Sequence, residues 1–482
     1  MFLKKMNNIV DTIVKETRGC LKKIAVIDGG SKISYRELFE AVKESSEELR
    51  NKGVLKYQRV ALLSEDGVDY ILASLAVLKL QAVIVPIPVG SSTEEIKNLL
   101  YNLKVNLIIF ERDWHTKKGA LRIFEKTAFK KEFFISRLNP KKGFPRGFFK
   151  LNPAFIRFSS GTTGKSKGVV LSHETIIART SAANKGLKVT SKDQILWVLS
   201  MSFHFVVTVL LFLRRGATII ISSRKFPHEL LENLSLYQPT LIYASPIHYR
   251  MLTSLDLSSR SFSRLRLAVS TAVKLPPNIA DNFYQKFGRE LAEAYGIIEV
   301  GLPFINLSSR KSKRGSVGKI LPGYNLKIAD KDGEGIGKIC IKGDGLFDAY
   351  FSPWRIRKDI LKSGWFDTGD LGKSDKDGFL FIAGREKNMI NFSGMKIFPF
   401  EVESVLNQHP LVKESYVYGA VHPEYGQVPL AKVILRPGRN KVVCLGELQK
   451  FCYERLAAYK VPKGFELVDK LPKTASGKMK YL

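Results

Sequence analysis

The sequence predicts an α/β protein. It expects a large N-terminal domain of two doubly wound α/β subdomains plus a β-barrel-like subdomain, then a small α+β C-terminal domain. Three observations predict this. Apolar β-branched runs alternate with helix-period segments over residues 25–110, the pattern of a mostly parallel sheet. The same alternation restarts after residues 158–173 and continues to residue 287. From residue 308 to 381 the texture becomes short apolar runs split by Gly and by Asp332-Gly333 and Asp377-Gly378 turns, which indicates antiparallel pairing. After Gly384 the chain restarts as a unit of about a hundred residues.

The elements follow in order. Residues 25–28 and 32–33 make a hairpin around Gly29-Gly30. Ser34 opens a helix with Glu37 in capping-box position, and Gly53 closes it. Residues 59–63 are a strand, 70–79 a helix, 82–86 a strand. Ser92 with Glu95 begins another helix, and 106–110 is a strand. In the second half, helices are expected at 175–185, 226–236 and 278–287. Strands are expected at 194–199, 217–222, 240–244 and 265–270. The apolar run 205–213 is a buried strand or helix, too short to span a membrane.

Bulk properties bound the function. At 482 residues, with 45% hydrophobic and 25% charged residues, the chain is an ordinary globular protein of roughly three domain-sized units. The N-terminus lacks the apolar core and cleavage site of a signal peptide. Cys20, Cys340, Cys444 and Cys452 are scattered, which fits a reducing cytoplasm and argues against a zinc site. The net charge of +32 implies attraction to anions: nucleotides, an acidic protein, nucleic acid or an anionic membrane face. Residues 117–150 interleave lysines and arginines with phenylalanines, a composition shared with single-strand nucleic-acid binders. No RNP-type or zinc-knuckle signature accompanies it.

The segment FSSGTTGKSKGVVLSH, residues 158–173, carries the strongest chemical signal. Ser159, Ser160, Thr162 and Thr163 supply hydroxyls. Gly161, Gly164 and Gly168 let backbone N–H groups approach an anion, and Lys165 and Lys167 add charge. It is not a Walker A loop: Ser159 stands where the first glycine should, and the following VVL reads as a strand rather than a helix. Cradling a polyphosphate is the simplest chemistry for it. Three further segments join it: AYGIIEVG (294–301), GWFDTGDLG (364–372) with Asp370 in a tight turn, and IAGREKNMINFSGMKIFPFEVE (382–403) followed by LPKTASGKMKYL at the end of the chain.

Together and in this order, these segments resemble the adenylate-forming superfamily: acyl-CoA synthetases, luciferases and the adenylation domains of nonribosomal peptide synthetases. The resemblance runs from the helix at Ser34 to Lys478 and is strongest to acyl- or aryl-CoA ligases. It implies an N-terminal adenylation domain over 1–384, a mobile C-terminal domain over 385–482, and a two-step reaction. ATP and a carboxylate give an acyl-adenylate and pyrophosphate, and a thiol then displaces AMP to give a thioester. The implied cofactors are ATP, Mg²⁺ and CoA, or the phosphopantetheine of an acidic acyl carrier protein.

Residue roles carry over by position. Ser159, Ser160, Gly161, Thr162, Thr163, Gly164 and Lys167 hold the phosphates, with Thr163 also counted as catalytic. Glu299 helps to place Mg²⁺. Tyr295 lies over adenine beside Gly296, and Ala272 lines the base pocket. Asp370 and Arg385 bind the ribose hydroxyls. Lys478 reaches between the substrate carboxylate and the α-phosphate. Lys387 falls at the hinge, and Ser393 and Gly394 face the pantetheine tunnel after the C-terminal domain rotates. His204 sits where these ligases carry a histidine beside the carboxylate, and no acid occurs between Trp197 and Thr218 to bind an α-amine. Phe203, Val207, Tyr243, Val300 and Leu302, with Phe205, Val206 and Ile247, make an apolar acyl pocket for a fatty or aromatic acid. Ile298, Val207 and Asn391 depart from the family's usual Thr, Gly and Lys. The alternative from a different class is a basic nucleic-acid-binding or scaffold protein on an inactive adenylation fold. Intact Lys167, Glu299, Asp370, Arg385 and Lys478 weigh against it.

Overall fold

The computed structural model describes residues 7–111, 121–124, 129–138, 144–159, 167–222, 227–436, 441–473 and 479, with Ser159 and residues 441–444 described by backbone alone. Two nine-stranded sheets dominate it. The first has the order Arg355–Ile356, Ala349–Tyr350, Lys167–Ser172, Pro153–Ser159, Val83–Ile87, Arg59–Leu63, Leu107–Glu111, Phe133–Arg137, Leu121–Ile123. Its centre is parallel and its margins antiparallel. The second has the order Lys319–Ile320, Gly301–Ile305, Leu291–Ile297, Leu267–Ser270, Leu241–Ala244, Gln194–Trp197, Thr218–Ile221, Ile24–Asp28, Ser31–Ser34. It is parallel from Leu291–Ile297 through to Ile24–Asp28. The parallel strands are near-continuous Val/Ile/Leu runs because both of their faces are covered.

The helix Val68–Lys79 explains how the sheets meet. Every residue in it except Lys79 is buried, as expected of a helix with no polar face. It shares one core with Leu62 and Ile84 of the first sheet and Ile195, Trp197 and Ile219 of the second. Separate cores cover the outer faces: Leu99 and Leu103 pack on Val85 and Ile108, and Leu230 and Phe283 pack with Leu196 and Ile220. Helices therefore lie outside both sheets and between them. Both expected capping boxes form: the Ser34 amide donates to Glu37 at 2.7 Å, and the Glu95 amide donates to Ser92 at 3.2 Å.

Three expectations are sharpened. The run 205–213 is helical, but its first part, Phe205–Val209, is a π-turn leading into Leu210–Arg214. Asp370 lies inside the strand Phe366–Ser374 and not in a tight turn. Gly369 absorbs the kink with φ +72°, so pairing resumes on either side of it. The third concerns the barrel-like unit. It is a four-stranded antiparallel sheet in the order Tyr324–Ala329, Gly337–Gly343, Phe366–Ser374, Leu380–Arg385.

The C-terminal part is α+β. Strands Met395–Ile397, Ile390–Phe392, Gly426–Leu435 and Val412–His422 pair in that order, Gly464–Leu467 lies beside Gly426–Leu435, and helices Pro399–Leu406 and Lys441–Tyr453 accompany them. It meets the four-stranded sheet through Phe398 against Ile336 and Leu371, and through Lys396 paired to Asp332 at 2.9 Å.

Most described rings of the basic-aromatic stretch are packed into the fold, Phe144 and Phe149 being partly exposed. Phe124 and Phe129 stack at 4.1 Å, and Phe133 and Phe148 are fully buried. Lys131 pairs with Glu65 and Glu111, and Arg122 with Glu132. These rings belong to the core and offer no platform for stacked bases. Among the described residues no helix is long and apolar enough to cross a membrane.

Candidate active site

Functional side chains gather where the parallel strands end. In open α/β sheets ligands bind beyond the carboxyl ends of the strands. Pro153–Ser159 runs into the expected phosphate loop, Gln194–Trp197 leads to His204, Leu267–Ser270 to Ala272, and Leu291–Ile297 to Glu299. The two sheets thus aim their chain ends at one region. Ser160, Gly161, Thr162, Thr163, Gly164 and Lys478 lie outside the described residues, and Ser159 is described by backbone alone.

Asp370 is the best-defined member. It is only 4% exposed, accepts from the Tyr295 hydroxyl at 2.5 Å and from Arg385 Nε at 2.7 Å, and stands opposite Arg385 in register. Thr368 Oγ1 receives the Asp370 amide at 3.1 Å. Burial, with the Asp370 carboxylate beside it, pushes the Tyr295 phenol well above its usual range, so Tyr295 remains a donor. The sequence separated Tyr295 as an adenine contact from Asp370 and Arg385 as ribose contacts; the structure joins all three.

Around the base pocket the backbone is constrained. Ala272 holds a left-handed φ of +74°, a conformation an L-residue adopts at a cost of roughly 1–2 kcal/mol. At Gly296 any side chain would meet the Gly301 carbonyl oxygen, 2.1 Å from the Cβ position. That close approach holds the turn which presents Glu299.

Glu299 is half-buried. Tyr350 donates to its carboxylate at 3.3 Å, and the Lys167 ammonium lies 4.7 Å from the centre of the same Tyr350 ring. The fully buried Arg179 fixes the peptides behind it, donating to the Ile298 carbonyl at 3.0 Å, to Glu299 at 3.4 Å and to Gly345 at 2.7 Å. Ile298, in place of the usual threonine, packs against the central core. Among the described residues no three His, Cys, Asp or Glu side chains cluster for a metal. One carboxylate suits Mg²⁺, which keeps several waters and takes the rest of its shell from phosphate oxygens.

On the acyl side, Trp197 meets the His204 ring edge-on at 6.5 Å and stacks on Tyr243 at 6.0 Å. The indole N–H of Trp197 is buried without a hydrogen-bond partner among the described residues. Phe203 and Val207 are half-buried, Val207 within the π-turn, a device common at functional sites. Tyr243, Val300 and Leu302 are core residues behind this surface, and Ile247 is 60% exposed on the outer helix Pro246–Ser254.

The hinge position, Lys387, is exposed in a short turn. Ser393 and Gly394 sit at an exposed hairpin tip, with the Gly394 amide donating to Asn391. Lys274, just beyond Ala272, donates to the Ile382 carbonyl at 3.1 Å and lies 4.7 Å from the Phe400 ring. Nearby Glu293 is 5% exposed, and burial pushes its carboxyl up to about 7 against the pull of the Leu275 amide and Lys274. A raised folded pKa gives stability that is present below the ordinary carboxylate range and is lost as pH rises through 7. Glu293→Gln is expected to remove that slope. The stability of wild type to denaturant should fall relative to the variant as pH rises from about 4.5 to about 7, by up to about 3 kcal/mol at 1.36 kcal/mol per unit. A pH-independent difference would overturn the assignment.

Sequence reasoning missed Arg157, Arg179, Tyr350, Lys274 and Glu293. Arg157 did leave a signal, being a lone cation in an otherwise apolar run, AFIRF.

Comparison with known proteins agrees with this architecture. The profile of the AMP-binding enzyme family matches residues 15–351, and that of the AMP-binding enzyme C-terminal domain matches residues 401–478. The chain is 30% identical over 465 residues to a 2-succinylbenzoate–CoA ligase of Bacillus cereus (strain Q1), covering 93% of this chain and 92% of that one. It is also 30% identical over 400 residues to a long-chain-fatty-acid–CoA ligase of Bacillus subtilis (strain 168), covering 80% of this chain and 69% of that one. The o-succinylbenzoate CoA synthetase of Bacillus subtilis, solved with its acyl-adenylate intermediate, superposes with a TM-score of 0.82 at 26% identity, covering 97% of this chain and 96% of that one.

Proposed function

This chain belongs to the AMP-binding enzyme family, and from that premise we propose that it converts an aromatic carboxylic acid into its CoA thioester. Acid–thiol ligation through an acyl-adenylate, with ATP, Mg²⁺ and CoA, is the chemistry of the group to which it belongs. The aromatic acid is our reading. One observation supports it: Trp197 meets the His204 ring edge-on and stacks on Tyr243, and no acidic residue stands in the stretch 197–218 to bind an amino group. The 2-succinylbenzoate specificity of its relatives points the same way.

The residues divide the work as follows. Asp370, positioned by Tyr295 and Arg385, holds the ribose hydroxyls. Ala272 and Gly296 shape the base pocket. Lys167 and the loop before it neutralise the triphosphate, so that the carboxylate, itself an anion, can reach the α-phosphorus. Glu299 would hold Mg²⁺, which when bound adds charge neutralisation at the phosphate oxygens. The carboxylate oxygen bonds to the α-phosphorus and pyrophosphate leaves, a step in which we assign Lys478 to bridge the two reacting groups. In the second step the CoA thiol gives up its proton, its sulfur attacks the acyl carbon, and AMP leaves. We place the boundary between the units at 384/385 and the pivot at Lys387. There the exposed turn would let the hairpin carrying Ser393 and Gly394 swing to the thiol.

The same site could load a phosphopantetheine carrier. The net charge of +32 favours encounter with an acidic carrier protein and with CoA alike. A pyrophosphate-release screen over aromatic, fatty and amino acids tests the reading, followed by mass detection of products with CoA and with holo-carrier protein. Turnover of aromatic acids to CoA thioesters is expected. Turnover confined to fatty or amino acids, or product on the carrier alone, overturns it.

A further inference from the structure

Arg157 stands in the strand Pro153–Ser159, two residues before the phosphate loop, and nothing above uses it. It pairs with Val169, which pairs in turn with Tyr350. Directly paired residues of neighbouring strands project to the same face. Val169 and Tyr350 belong to the core between the two sheets, so Arg157 projects inward as well, on the face from which Tyr350 reaches Glu299. From there it crosses to the acyl side. Its Nη1 donates to the Phe203 carbonyl at 2.6 Å, and its guanidinium lies 5.0 Å from the centre of the Phe203 ring, one residue from His204.

The guanidinium is incompletely satisfied. Its Nε is buried without a partner, and among the described residues no carboxylate pairs with it. Burial lowers its pKa to about 10, with Glu299 and Tyr70 opposing. Taking a cation out of water costs several kcal/mol, and an anion placed against the guanidinium would offset that cost. Lys167, assigned to the phosphates, lies against the same Tyr350 ring. Arg157 is the cation at the seam between the acyl and phosphate halves.

We propose that Arg157 binds the reacting carboxylate of the acid substrate through its incompletely satisfied guanidinium, holding that carboxylate beside His204 for attack on the α-phosphorus. This deepens the proposed function and rests on the adenylation site described there. It makes Arg157 a charge-matched clamp whose contact is relaxed once the carboxylate becomes the uncharged acyl group of the mixed anhydride.

The test is full-chain Arg157→Gln and Arg157→Lys, assayed by pyrophosphate release with the acid varied. The probes are 2-succinylbenzoate and the two mono-acids that each retain one of its carboxylates, 4-oxo-4-phenylbutanoate and 2-butanoylbenzoate, with octanoate as a non-aromatic probe. For every acid that wild type turns over, Arg157→Gln should raise the acid KM by about ten- to a hundredfold, the loss expected for a charge-assisted hydrogen bond. Arg157→Lys should recover part of that loss. The KM for ATP should stay nearly constant, and so should the rate of CoA transfer from a supplied acyl-adenylate. A rise in the KM for ATP instead would assign Arg157 to phosphate. An effect on the di-acid alone would assign it to a second carboxylate. A fall in melting temperature with acid KM unchanged in Arg157→Lys would make it structural. Each of these overturns the proposal. Failure of wild type on all aromatic acids would overturn the proposed substrate class, while the variant-to-wild-type ratio on octanoate still tests Arg157.

Discussion

Asp370→Asn is expected to raise the KM for ATP about a hundredfold, the loss of two charge-assisted hydrogen bonds to neighbouring hydroxyls. The asparagine oxygen can still accept from Tyr295, but the amide brings N–H donors towards the Arg385 Nε that now donates to Asp370 at 2.7 Å. Arg385 is about a third exposed, so water screens part of what the ion pair contributes to folding. The variant should therefore fold, with a modest drop in melting temperature, while losing nucleotide. Calorimetric titration with ATP checks this directly, and unchanged affinity would remove Asp370 from the ribose site. Because Tyr295 stays protonated, the deficit should be flat from pH 6 to 9.

Glu299→Gln should lower kcat for adenylation by about 10²–10³, the loss typical of a group that organises charge around a transition state. Structure argues that this is a chemical loss. Tyr350 can donate equally to a glutamine oxygen, and Arg179 holds the Glu299 main chain and not its carboxylate. Melting temperature should move little. A kcat within about threefold of wild type would remove Glu299 from the charge-organising role.

Much of this was legible in the sequence, and what was legible has a common cause. Parallel strands buried on both faces are long apolar runs, and capping boxes are local, so the alternation and helices such as those opened by Ser34 and Ser92 could be read from neighbouring residues. The site was legible where a motif is contiguous. Illegible were couplings across sheets. Tyr295 and Asp370 are 75 residues apart, and their hydrogen bond follows from how two sheets meet. Arg179 looked like any helical arginine because the carbonyls it serves lie 119 and 166 positions away. The placement of Asp370 failed for a local reason: a glycine at positive φ reads as a turn, and here it is a kink within a strand.

The helix Val68–Lys79 has a consequence for how the chain acquires its shape. It has no face that tolerates water, and its covering comes from strands as distant as Leu62 and Ile219. It cannot persist on either sheet alone, so neither half can mature ahead of the other. A fragment ending before Gln194–Trp197 would leave part of that apolar helix uncovered and is expected to self-associate. During synthesis the first sheet must wait, with that helix uncovered, until strands some 150 residues downstream emerge (the separation of Asp69 and Ile219). A single cooperative unfolding step for the two-sheet unit is therefore expected from that one element.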